Sequence, residues 1–280
     1  METAADSDKS VALRQIVDAS RGFVFDLDGT IYLGDSLIPG ADRAVEWLRS
    51  MGKSVAFLSN KPIATRESYA EKLNKLGIPC DIESVINSSL VCARYLQKHN
   101  PGAWVFPVGE QPLIDDLKRH GLKITNDPER VEVVVVSFDR TFDYRKLDIA
   151  YRAAVNGADL IATNPDRTCP MPGYELPDSA CMIAAIEACA ERKVEPIVGK
   201  PSPIMLKEVT DVLGLEPAQC VMVGDRSETD LLMAKRTGMR FLLVLSGVTD
   251  ASDLDSLPEQ PDLILNSVGE VAALADGKES

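Results

Sequence analysis

Two spacings of apolar residues alternate along this chain. Short apolar runs, each closed by polar residues or glycine, read as buried strands, and between them apolar residues recur at helical spacing. Phe23-Val24-Phe25 is the first such run and ends in Asp26-Leu27-Asp28-Gly29-Thr30. Residues 31–40 carry the turn signals of a small hairpin or flap, with Gly34 and Pro39-Gly40 at its bends. Ala41, Ala44, Val45, Leu48 and Met51 share one helical face that Gly52 ends. Val55-Ala56-Phe57-Leu58 is a second strand, closed by Ser59-Asn60-Lys61, and Pro62 is expected to open a helix reaching about Gly77. Residues 82–86 read as a short strand and 88–98 as a helix, before Pro101-Gly102 breaks the chain. Residues 1–20 are expected to be a partly ordered lead-in, weakly amphipathic around Val11–Ile16.

From 103 to 194 the pattern restarts. Strand-like runs at 103–108, 132–137 and 158–162 alternate with helical patterns at 111–120, 145–156 and 179–191. The segment 162–177 contains four prolines and one glycine and is expected to follow a stiff, irregular path. The earlier pattern then resumes: a strand at 196–198, a helix at 203–213, the strand Cys220-Val221-Met222-Val223, strands at 241–245 and 262–265, and a helix at 267–275. Strands alternating with helices predict an α/β fold, a Rossmann-like, doubly wound, mostly parallel sheet. Its core is expected over 1–102 and 195–280, with a smaller α/β cap domain inserted at 103–194.

Composition narrows the class. At 280 residues the chain suits one large α/β domain or a core with an insertion. A formal charge of −13 disfavours nucleic acid and anionic membrane surfaces as partners. No apolar run approaches the ~20 residues of a membrane span, and the N-terminus is acidic and unlike a signal peptide, so a soluble, cytoplasmic protein is expected. The six cysteines form no Cys-x-x-Cys pair and read as reduced, buried thiols. His99 and His120 each fall near a helix end, which disfavours a histidine zinc site. Any metal should be a hard cation on carboxylate oxygens.

The candidate chemistry collects at the carboxyl ends of strands, where an open parallel sheet presents its ligand crevice. Asp26 and Asp28 lie together after the first strand, and carboxylates that close repel unless a cation or a proton intervenes; alternatively, the segment is a strand followed by an Asp-Gly turn. Ser59 and Asn60 could cradle an anion or cap a helix. Lys200 suits a phosphate or a surface position. Gly224-Asp225-Arg226-Ser227-Glu228-Thr229-Asp230 delivers a third carboxylate to a strand end and a fourth one turn later. In the 162–177 loop, Asn164, Asp166 and Arg167 are candidates to face a substrate, or belong to a surface connection.

Phe-Asp-Leu-Asp-Gly-Thr, Leu-Ser-Asn, Gly-Lys-Pro and Gly-Asp-Arg-Ser-Glu-Thr-Asp, in this order, resemble the four motifs of the haloacid dehalogenase superfamily. An insertion between the second and third motifs with Ala-Thr-Asn-Pro-Asp is similar to the NagD-like, p-nitrophenyl phosphatase branch. The resemblance implies a phosphatase for small monoesters such as sugar or polyol phosphates or nucleoside monophosphates, with p-nitrophenyl phosphate as an artificial substrate. It implies Asp26 as nucleophile, forming an aspartyl-phosphate, and Asp28 as general acid and base. Mg²⁺ would be held by Asp26, the Asp28 carbonyl and Asp225. Ser59, Asn60 and Lys200 would bind phosphoryl oxygens, while Asp230 orients Lys200 or a metal-bound water. A cap-mediated homodimer is an expectation by analogy. Where many relatives are expected to have Pro-Gly-x-Gly before the last cap helix, this chain has Leu176-Pro177-Asp178-Ser179-Ala180, with Asp178 suited to an N-cap. A dehalogenase would need neither Mg²⁺ nor an acid at position 28. A non-catalytic phosphometabolite-binding protein would be expected to lose Asp26 or Asp28.

Overall fold

Buried backbone must find its hydrogen bonds within the protein, and β1 (Gly22–Asp26) and β12 (Cys220–Gly224), both buried along their whole length, find them by pairing side by side inside a sheet. The computed structural model describes residues 4–171 and 173–276. The strands are β1, β2 (Tyr32–Leu33), β3 (Ser36–Leu37), β4 (Ser54–Ser59), β5 (Val85–Asn87), β6 (Trp104–Val108), β7 (Lys123–Ile124), β8 (Val133–Val136), β9 (Asp159–Ala162), β10 (Thr168–Met171), β11 (Tyr174–Pro177), β12, β13 (Arg240–Val244) and β14 (Leu263–Leu265). The helices are α1 (Ala4–Ala19), α2 (Ala41–Ser50), α3 (Arg66–Lys75), α4 (Ser88–His99), α5 (Gln111–Arg119), α6 (Tyr144–Val155), α7 (Ser179–Ala190), α8 (Pro203–Leu213), α9 (Leu232–Thr237) and α10 (Gly269–Ala273). The lead-in is thus helical from Ala4, and residues 1–3 lie outside the described residues.

The core sheet has six strands in the order β14-β13-β12-β1-β4-β5, parallel between β14, β13, β12, β1 and β4. From β1 the chain builds outward through β4 on one side, and later through β12 and β13 on the other. The order therefore reverses between β1 and β12, the switch point where an α/β sheet opens a crevice at its carboxyl edge. A separate, inserted four-stranded parallel sheet has the order β7-β6-β8-β9. Val134, Val136 and Leu160 of its strands pack with Ile149 of α6 and Ile186 of α7. By contacts the chain divides into two compact units, residues 1–58, 69–85 and 206–280 in one, and 59–68 and 86–205 in the other.

Three local expectations are corrected. The second helix starts at Arg66 rather than at Pro62, because the Thr65 hydroxyl accepts the Ser68 N–H, while the Asn87 amide takes the Ala64 carbonyl out of helical geometry. Residues 196–198 are not a core strand: Ile197 makes a single bridge to Ala162 at the end of β9, and Pro196 has no N–H with which to extend a ladder. Segment 162–177 is not irregular throughout but contains a two-stranded ribbon, β10 with β11, a setting in which edge strands tolerate Pro170. Pro172 at its turn lies outside the described residues. The hairpin expected over 31–40 is present as β2 and β3. All six cysteines are free, but only Cys92, Cys169 and Cys220 are buried, while Cys181 and Cys189 are exposed on α7. Among the described residues no helix is long and apolar enough to cross a membrane.

Candidate active site

The end of β1 hands the chain to Asp26, and the loop after β12 begins with Asp225, so the switch point brings two aspartates to one edge. Asp230 joins them through a π-helical turn over Ser227–Leu231, in which the Asp230 N–H bonds the Arg226 carbonyl at 3.0 Å and the Leu231 N–H bonds the same carbonyl at 3.3 Å. One carboxylate oxygen from each of Asp26, Asp225 and Asp230 lies within 4.8 Å of the others, and all three residues are buried. Asp28, two residues beyond Asp26, is half-buried and bridges Tyr32.

The backbone packs tightly around this cluster. Gly29 has φ +90°, and a Cβ there would come 2.8 Å from Asp225 Cγ. A Cβ on Gly247 would overlap Asp225 Oδ2 outright and meet its Cγ at 2.5 Å. Asp225 Oδ2 accepts the Val248 N–H at 2.7 Å, and Asp230 Oδ2 accepts the Arg226 N–H at 3.2 Å. Backbone donors thus orient two of the carboxylates but do not neutralise them. Three buried carboxylates this close repel one another, and an all-oxygen set suits a hard divalent ion.

A second polar cluster is built in the other compact unit. The Asn60 amide clamps both backbone groups of Lys200: Oδ1 accepts the Lys200 N–H at 2.8 Å, and Nδ2 donates to the Lys200 carbonyl at 3.1 Å. Asn60 Nδ2 also donates to Asp166 Oδ2 at 2.8 Å. The same Asp166 oxygen accepts Asn164 Nδ2 at 2.8 Å, and Asn164 Nδ2 reaches Asp178 Oδ1 at 3.0 Å. On its other side, Asn164 Oδ1 faces the Thr163 hydroxyl at 2.8 Å and the Ser179 hydroxyl at 2.6 Å. Asp178 caps α7 through the Ser179 N–H at 2.5 Å. Burial pushes the Asp178 carboxyl up, its hydrogen bond from Asn164 works the other way, and the nearby Asp166 charge adds to the rise.

The sequence candidates therefore sort into two groups. Asp26, Asp225 and Asp230 converge. Within the other unit, Asn60, Asn164, Asp166 and Lys200 converge. Asn60 and Asn164 each place both side-chain N–H groups on partners within the chain. Arg167 is exposed on its side chain, and its carbonyl accepts the Asp178 N–H. Ser59 ends β4, its hydroxyl accepting the Lys61 N–H at 3.1 Å. Thr163 and Ser179 escaped the sequence reading, although Thr163 immediately follows β9, the strand-end position that flagged the others.

Comparisons with known proteins agree with this geometry. A family model described as haloacid dehalogenase-like hydrolase matches residues 23–123, and a related hydrolase model matches residues 197–271. The chain is 39% identical over 255 residues to sugar-phosphatase AraL of Bacillus subtilis, covering 91% of this chain and 93% of that protein. It is 33% identical to the acid sugar phosphatase of Staphylococcus aureus, covering 90% and 97% respectively. Among solved structures, p-nitrophenyl phosphatase from Archaeoglobus fulgidus superposes with a TM-score of 0.86 at 31% identity, covering 91% of this chain and 99% of the other. NagD from E. coli K-12 superposes with a TM-score of 0.80 at 30% identity, covering 90% and 98%. Placed on a parallel sheet with its carboxylates at the switch point, the chain belongs to the haloacid dehalogenase-like hydrolases, in the subfamily of NagD and the p-nitrophenyl phosphatases.

Proposed function

We propose that this protein is a Mg²⁺-dependent phosphatase acting on small phosphate monoesters, sugar phosphates foremost. The observation that carries the reading is the buried cluster of Asp26, Asp225 and Asp230 at the switch point, in a chain similar along nine-tenths of its length to two sugar phosphatases. Asp26, Asp225 and Asp230, with the Asp28 carbonyl, would hold the cation. Bound there, Mg²⁺ supplies positive charge that offsets the carboxylates and the phosphoryl oxygens.

The remaining steps belong to the chain's own residues. The Asp26 carboxylate attacks phosphorus, the Asp26 O–P bond forms, and the ester P–O bond breaks. Asp28 gives its proton to the departing alkoxide, then takes one from the water that attacks the aspartyl-phosphate and releases inorganic phosphate. Ser59 and Lys200 offer a hydroxyl and a fixed positive charge to the phosphoryl oxygens. Cap residues 103–194 set which ester is admitted. The six free cysteines support a reducing, cytoplasmic setting.

Phosphate release from a panel of sugar, polyol and nucleotide esters and p-nitrophenyl phosphate, with and without Mg²⁺, tests this reading. Release that depends on Mg²⁺ and is fastest with sugar phosphates is expected. Absence of release from every ester by folded protein overturns it.

A further inference from the structure

A buried polar network runs Lys200–Asn60–Asp166–Asn164–Asp178, with Thr163 and Ser179 as side branches, all of it within one compact unit. Its hydrogen-bond directions follow from the chemistry of its ends. Asp166 and Asp178, as carboxylates, only accept, so the Asn164 amino group must face them and its oxygen must face the two hydroxyls. The same logic fixes Asn60: its oxygen must take the Lys200 N–H, and its amino group must reach both Asp166 and the Lys200 carbonyl. A flip of Asn60 would set donor against donor at the Lys200 N–H and acceptor against acceptor at Asp166, and a flip of Asn164 would set its oxygen against two carboxylates.

This arrangement is costly. Two carboxylates, Asp166 at 9% and Asp178 at 3% exposure, share the amino group of one fully buried asparagine. An apolar interior of the same volume would avoid that desolvation. What the polar version provides is a fixed orientation for Asn60 and a two-point hold on the backbone of Lys200.

We propose that Asp166 is a positioning residue that, held by Asn164 and Asp178, sets the Lys200 backbone through the Asn60 amide and does not touch the sugar. The inference rests on the phosphatase reading, in which Lys200 meets the phosphoryl group common to all esters. Disturbing the network then alters every substrate alike. A residue that contacts the sugar would instead discriminate between an ester that has hydroxyls and one that has none.

The test compares Asp166→Ala, Asp166→Asn and Ser179→Ala with the wild type, using a sugar phosphate and p-nitrophenyl phosphate, alongside product inhibition by inorganic phosphate. For Asp166→Ala we expect kcat to fall about ten- to a hundredfold by the same factor for both esters, with phosphate inhibition weakened in parallel. Asp166→Asn keeps an acceptor oxygen and should recover most of the loss. Ser179→Ala removes a hydroxyl remote from Lys200 and should show a uniform loss of several-fold, which keeps the test open if Asp166→Ala does not fold. A KM increase confined to the sugar ester, with p-nitrophenyl phosphate turnover and phosphate inhibition unchanged, overturns the inference, as does unchanged behaviour of every folded variant. If the wild type releases no phosphate, the phosphatase reading fails by itself. The network is then judged on calorimetric binding of inorganic phosphate, where equal affinity of wild type and Asp166→Asn on one side and folded Asp166→Ala or Ser179→Ala on the other overturns it.

Discussion

Replacing Asp230 with Asn separates the cost of the carboxylate cluster from its use. Its three members bring one oxygen each within 4.8 Å of the others. At that separation a pair of unit charges repels by about 3–4 kcal/mol with an effective dielectric near 20, so neutralising one member removes two of three pair terms, about 7 kcal/mol in all. Other charges and dipoles around the cluster offset part of that, leaving a gain of about 1–2 kcal/mol for Asp230→Asn in EDTA. The amide oxygen of Asn can still accept the Arg226 N–H that Asp230 accepts at 3.2 Å, so local geometry is retained. With Mg²⁺ the order reverses. At a hundred times its dissociation constant a ligand stabilises by about 2.7 kcal/mol, which for a protein of this size raises the melting midpoint by roughly 5–10 °C. The variant should gain less than about 2 °C. Melting curves of both proteins in EDTA and across a Mg²⁺ titration supply the data. A variant that melts below wild type in EDTA, or that shows the full metal-induced shift, refutes the view that these carboxylates are assembled around a cation.

Three further outcomes follow from particular contacts. Gly247→Ala places a Cβ on Asp225 and should weaken Mg²⁺ binding at least about tenfold while leaving the sheet intact, as measured by the Mg²⁺ dependence of turnover and by circular dichroism. Burial pushes the Asp116 carboxyl up, opposed by the charges of Arg119 and His120, and its buried Oδ2 has no hydrogen-bond partner among the described residues. A raised folded value means that Asp116 supports the fold below its ordinary value of 3.8, a contribution lost as pH rises through the raised value. Asp116→Leu should therefore be more stable than wild type by up to about 1–3 kcal/mol at neutral pH, with the difference vanishing on acidification; pH-independent melting differences would contradict this. A maleimide should label Cys181 and Cys189 rapidly in the native protein, whereas Cys92, buried and with its thiol pushed up to about 12, should react only after unfolding, as peptide mass mapping would show.

Motif positions were legible because strand ends leave a one-dimensional signal. An apolar run that stops at a carboxylate, as at Phe25-Asp26 and Gly224-Asp225, marks the sheet's carboxyl edge without reference to anything distant in sequence. The approach of Asp230 to within 4.8 Å of Asp26 and Asp225 was not legible, since a regular helix and a π-helical turn share one sequence pattern but aim the fourth residue differently. Segment 196–198 misled for a related reason. Its three apolar residues look like any buried strand, and only the register with Ala162 reveals a single bridge. Asn60 and Asn164 read as substrate donors because an asparagine at a strand end looks equally suited to a ligand and to a partner inside the chain. The partners inside the chain include two carboxylates that accept from Asn164, 2 and 14 residues away in sequence, which no local pattern announces.

The central claim is that Asp26 is the nucleophile of a metal-dependent phosphatase. Phosphate release from a sugar phosphate by wild type and Asp26→Asn, each with Mg²⁺ and with EDTA, and each checked for the same melting behaviour, tests it most directly. The account expects Mg²⁺-dependent release by wild type and a loss of several orders of magnitude in a folded Asp26→Asn. Turnover by Asp26→Asn comparable to wild type, or release by wild type that is indifferent to EDTA, would contradict it.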